Sequence, residues 1–134
     1  MRYDELVKAV KKEGRYPTER MTERVVHDVL AALGRQLVGD ERVELARLLP
    51  DEAAVAFVSQ IPSPQPLTAG EFTRALAEAS GVDGATEATA RWDAGSVLTV
   101  LTRHIDPGLL RRILHQLPEG YALLFGQARL APAA

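Results

Sequence analysis

The stretch LLPDEAAVAF, residues 48 to 57, returns later in the chain as QLPEGYALLF, residues 116 to 125. Subtracting 50 from 118 for the prolines, or 57 from 125 for the closing phenylalanines, gives the same offset, 68. A proline, an acid behind it and a terminal aromatic recurring at one offset mark an internal repeat. The match extends outward. VLAALGRQL (29–37) answers to VLTVLTRHI (97–105), and DELVKAV (4–10) to GEFTRAL (70–76) at a slightly smaller offset, because the loop GVDGAT (81–86) is longer than GRYPT (14–18).

Each half reads as helical. Met21, Val25, Val26, Val29, Leu30, Leu33 and Leu37 recur at spacings of three and four, which puts them on one stripe of a long amphipathic helix. The counterpart stripe is Ala94, Val97, Leu98, Leu101 and Ile105. Thr68 followed by Glu71 forms a capping box, and Asp106 before Pro107 supplies an N-cap and a proline at the first helical position. Pro50 and Pro118, each followed by an acid, are expected to open a last short helix. Helices are therefore expected near 2–13, 18–37, 40–49 and 50–60, then 68–80, 85–104, 107–117 and 118–128. No strand-type alternation interrupts them.

The expected fold is all-α, a tandem repeat of two similar four-helix units packed with approximate two-fold pseudo-symmetry into one globule. The first unit spans 1–60 and the second 68–128. Between them IPSPQPL (61–67) is a proline-rich linker, extended because alternate prolines forbid helix. The tail, 129–134, has nothing to bury and is expected to fray.

Composition narrows the functional classes. The 134 residues fit one domain, and a net charge of −2 gives no global field toward nucleic acid or an acidic membrane. The absence of cysteine excludes disulfides, iron–sulfur clusters and thiol chemistry. No run approaches the roughly 20 apolar residues of a membrane span, and the N-terminal segment lacks a signal-peptide core, so the expected location is cytoplasmic.

The tandem pattern as a set, with a long helix ending VLAALGRQL or VLTVLTRHI, a helix closing on LLPDE or QLPEG and a terminal phenylalanine, resembles the domain of unknown function 2267 family. The resemblance runs from Tyr3 to Phe125. It implies a small bacterial all-helical protein and assigns no activity and no catalytic residues. The matching residues Leu49, Pro50, Phe57, Leu117, Pro118 and Phe125 are helix-start and core types.

Candidate chemistry is thin. Glu19, Glu23 and His27 share a helix face at spacings of four, yet lie among Arg20, Arg24 and Asp28, with Glu87, Arg91 and Gly95 as repeat equivalents. A solvated charged face explains them better than a metal site, which in a bundle needs symmetric inward ligands. There is no G-x-S-x-G elbow, Ser96 falls mid-helix, and His104 and His115 fall near helix ends. The GVDG loop reads as a helix end with Asp83 capping the next helix. No catalytic, cofactor or metal residues are assigned, and an enzyme ranks last.

Two features point to binding. Trp92, the only tryptophan, lies about 200° around its helix from Ala94, above a stripe of small residues, Gly95, Ser96 and Thr99. A mid-helix glycine costs about 1 kcal/mol against alanine, so a close approach is expected at Gly95. Either the first half or the terminal helix covers Trp92, or Trp92 anchors a partner. The second feature is a basic patch of Arg103, Arg111, Arg112 and His115, with His104 beside it, a candidate anion site. The leading expectation is a protein–protein interaction or adaptor module whose partner is another protein. The alternative is a regulator that binds an anionic ligand or nucleic acid through the basic patch. Membrane association is not expected, nucleic acid is disfavoured, and homo-oligomerisation stays open.

Overall fold

The computed structural model describes residues 1–82 and 84–127. Among them the chain forms eight helices and no strand: α1 (Tyr3–Gly14), α2 (Glu19–Gly34), α3 (Gly39–Leu48), α4 (Asp51–Val58), α5 (Ala69–Ala79), α6 (Glu87–Thr102), α7 (Pro107–Gln116) and α8 (Tyr121–Leu124). The expected tail, 129–134, and Asp83 lie outside the described residues.

Local chemistry sets the helix starts. Thr18 accepts from the Met21 amide and opens α2, while Thr68 and Glu71 close the expected capping box on α5. Asp106 accepts from the Gly108 and Leu109 amides ahead of α7, with Pro107 in the first turn. The cap of α6 is Thr86, which accepts from the Thr89 amide, and not Asp83. Pro50 caps α4 as expected. Pro118 does not open a helix, because Gly120 takes a φ of 98° and admits only the single turn of α8 behind it.

The two longest helices, α2 and α6, form the centre. Val26, Val29, Leu30 and Leu33 on one, and Ala94, Val97, Leu98 and Leu101 on the other, are all buried in a single hydrophobic cluster. α2 packs against α4 and α6, α1 against α6, α5 against both α2 and α6, and α3 against α7. Met21 departs from its expected stripe: in the first turn of α2 it is 43% exposed, because it borders a cleft and not the core. No helix among the described residues is long and apolar enough to cross a membrane.

One side chain ties off two helix ends. Arg42, on α3, directs its guanidinium at the carbonyl oxygens of Gly34, Leu37, Phe57, Val58 and Gln60, and its face lies 5.2 Å from the Phe57 ring centroid. Carbonyls at the ends of α2 and α4 have no intrahelical donor, and five guanidinium N–H groups can serve several at once. α4 reaches this position because Gly34 has no Cβ, which would collide with the Phe57 carbonyl.

The linker is irregular, bends at Pro64 and Gln65, and runs along the C-terminal end of α2. The Ser63 amide donates to the Arg35 carbonyl at 2.9 Å, and the Leu67 amide to Gln36 Oε1 at 2.7 Å. The Leu67 carbonyl in turn accepts the Tyr121 hydroxyl at 2.8 Å, joining the linker to α8.

Candidate functional site

The stripe expected below Trp92 is not one open face. Ser96 is buried, its hydroxyl donating to the Trp92 carbonyl at 2.8 Å and lying against Gly14 of α1. Thr99 is partly covered by the C-terminal turn, for a Cβ on Gly126 would lie 2.7 Å from its hydroxyl. The close approach expected at Gly95 is absent, since a Cβ built there meets nothing within 4 Å. Near this face it is Gly14 of α1 that admits a close approach, its missing Cβ leaving room for the Tyr16 ring and Ser96.

Trp92 satisfies both alternatives in part. Its Nε1 donates to the Gly14 carbonyl at 3.0 Å, so the first half does hold it, yet the residue remains 56% exposed. The indole stands at one side of a cleft of about 800 Å³ between the N-terminal halves of α2 and α6. Residues of the turn before α2 and of the loop before α6 complete its lining. Arg20, Met21 and Arg24 line the α2 side; Ala88 and Trp92 line the α6 side; Arg15 and Val82 come from the end segments.

The floor is polar and closed on itself. The Tyr16 hydroxyl donates to Asp93 Oδ1 at 2.6 Å across the two halves. Burial raises the Asp93 carboxyl above the ordinary carboxylate range, and the nearby charge of Asp28 adds to this, while the Tyr16 hydrogen bond opposes it. Burial also raises the Tyr16 phenol, so it keeps its proton as the donor. The phenol and the carboxylate form a structural latch between the α1–α2 turn and α6. The phenol proton is spent on Asp93 Oδ1, and both residues line the cleft floor.

The basic patch is largely neutralised. Arg112 donates to Glu44 at 2.6 Å and to Glu41 at 3.2 Å on α3, and Arg103 donates to Glu13 at 2.6 Å on α1. Gln116 completes the α3–α7 seam by exchanging hydrogen bonds with the Val38 amide and carbonyl. Arg111 and His115 are exposed beside this seam. Of the acid–histidine ladder, His27 lies 3.3 Å from Asp28 and is exposed. By contrast Arg20 and Arg24, read from the sequence as part of a solvated charged face, and Arg15, which no sequence pattern singled out, are exposed around the cleft and form no ion pair among the described residues.

The architecture defines a small all-helical protein with a cleft between its two central helices. The chain belongs to the family described as "Uncharacterized conserved protein (DUF2267)", whose model matches residues 3–124. No curated protein matches it.

Proposed function

We propose that this chain is a cytoplasmic protein-interaction module built from two four-helix repeats, and that it takes its partner in the Trp92 cleft. The repeat reading is supported by exchange packing: α1 lies on α6 while α5 lies on α2, and α2 meets α6 as α3 meets α7. That is the contact pattern an approximate two-fold produces. Leu33 and Leu101 are buried alike, as are Phe57 and Phe125.

The observation that carries the docking reading is the state of Trp92. An indole that is hydrogen-bonded at one edge and 56% exposed beside a cleft is held in place before any ligand arrives. Fixing the rotamer beforehand lowers the entropic cost of association, and tryptophans in such positions are typical interface hot spots. Binding of anions at Arg103, Arg111, Arg112 and His115 is the weaker reading, because two of those four arginine and histidine side chains already have carboxylate partners within the chain.

The test uses Trp92 as its own reporter, being the sole tryptophan. Amphipathic helical peptides of either charge sign are titrated against its emission. At least one is expected to shift and quench it saturably, and Trp92→Ala is expected to abolish capture of that peptide without unfolding the chain. Emission that no peptide perturbs removes the reading.

A further inference from the structure

We infer that the cleft selects an acidic amphipathic segment of a partner protein, seated with its apolar face on Ala88 and Trp92 and its carboxylates toward Arg20 and Arg24, with Arg15 at the Trp92 end. This rests on the cleft being the docking surface.

The argument comes from what the two halves changed at equivalent places. Aligning the chain at the repeat offset sets Arg20 against Ala88 and Arg24 against Trp92, and aligning GRYPT with GVDGAT from their first glycines sets Arg15 against Val82. All six residues line the cleft. At three equivalent positions the first half carries an arginine and the second an apolar residue. Along the two facing helices the α2 side is therefore cationic, with Arg20 and Arg24, and the α6 side apolar, with Ala88 and Trp92; Arg15, next to the Gly14 that Trp92 bonds, stands beside the indole, and Val82 follows α5. Arg20 and Arg24 are four apart on α2, and Ala88 and Trp92 four apart on α6, so each pair forms a stripe along its helix.

A ligand that satisfies both sides must be apolar on one face and anionic on the other. Arginine favours carboxylate through paired N–H donors. The three cleft arginines are exposed and form no ion pair among the described residues, as is true of several other arginines such as Arg47 and Arg91. Below them Asp28 and Asp93 place negative charge at the floor, which repels an acid that goes deep and holds the ligand's carboxylates to the arginine rim. Arg15 adds a further sign. It adopts a φ of 54°, the left-handed region where glycine is easier, at the end of α1. Its charge is thus kept at a backbone position that favours a different residue.

Three designed helices test the inference, all with leucine on one face and carrying glutamate, glutamine or lysine on the other. Trp92 emission is read at low and at high salt. The glutamate helix is expected to bind about tenfold more tightly than the lysine helix at low salt, with the gap closing as salt screens it. Arg20→Gln with Arg24→Gln should erase the preference while thermal unfolding is unchanged. Arg15→Gly should weaken the glutamate helix severalfold in a chain that unfolds no earlier. Equal affinity for the three helices overturns the inference while the docking surface stands. So does a single-stranded oligonucleotide that outcompetes the glutamate helix, or a Trp92-dependent dimer that blocks it. If none of the three perturbs Trp92, the docking reading itself fails and this one with it.

Discussion

The indole nitrogen of Trp92 donates to the main-chain carbonyl of Gly14, 78 residues away in sequence, at 3.0 Å. That carbonyl belongs to the last residue of α1, where no later amide completes the helical ladder. The bond therefore does two things at once: it finishes α1 and it fixes the rotamer of the exposed ring. Trp92→Phe keeps the aromatic body and removes the donor. It is expected to lower stability by about 1 kcal/mol, a few degrees in Tm for a chain of this size, as read by calorimetry. A loss several times larger would mean that the ring is a core element and not a presented one.

The glycines should separate by sign. Gly95 stands mid-helix with nothing within 4 Å of a built Cβ, so Gly95→Ala should stabilise the chain by about 1 kcal/mol through helix propensity alone. Gly14→Ala and Gly34→Ala should each destabilise it by roughly 2 kcal/mol or more, because the added carbon meets Tyr16 and Ser96 in one case and the Phe57 carbonyl in the other. Chemical denaturation of the three variants checks the ordering. A destabilised Gly95→Ala would show that something does cover that face in solution.

These contrasts also show what was legible beforehand. The stripes of α2 and α6 and the caps Thr68 and Asp106 are short-range patterns, and they mark real elements. Gly95 was misread because glycine in a helix has one sequence signature whether or not a neighbour fills the gap. The last helix failed at Gly120, where a repeat-based alignment predicts continuity but the left-handed backbone ends it. The cleft was half visible. Trp92 stood out, but its frame of Arg15, Arg20, Arg24 and Val82 is assembled from segments far apart in sequence, and no local pattern distinguishes an arginine that rims a cleft from one in solvent. The pairs that quiet Arg103 and Arg112 are equally remote, at Glu13, Glu41 and Glu44.

Arg42 is a sharper case of the same kind. Its repeat counterpart is Leu110, so symmetry gives no hint of its role. Burial makes its charged form less favourable than in water, and the ring of carbonyls is what compensates. Arg42→Ala leaves the ends of α2 and α4 without donors and is expected to cost about 3 kcal/mol. Arg42→Lys should recover only a minor part, since one ammonium cannot span carbonyls from Gly34 to Gln60. Unfolding midpoints in urea decide this; a lysine variant equal to the parent would mean that charge, and not the fan of donors, is what matters.

The Tyr16–Asp93 latch makes a prediction in pH. Asp93 is held above its unfolded value, chiefly by burial and further by Asp28, so the protonated form is the one the fold prefers. A group raised in this way supports the fold fully below its unfolded pKa of about 4, and that support is lost as pH rises through the folded value. Asp93→Asn keeps an oxygen to accept the Tyr16 hydroxyl but cannot ionise. The variant should match the parent near pH 3 and gain on it as pH rises toward neutrality, with the difference levelling off once Asp93 is ionised in the folded parent. Tyr16→Phe separates the hydrogen bond from the charge: it leaves Asp93 buried without its donor, so it should destabilise most at neutral pH and least in acid. Denaturation at a series of pH values reads both variants. A parent more stable than Asp93→Asn at pH 7 would mean that the ionised hydrogen bond with Tyr16, at 2.6 Å, outweighs the cost of burying the charge.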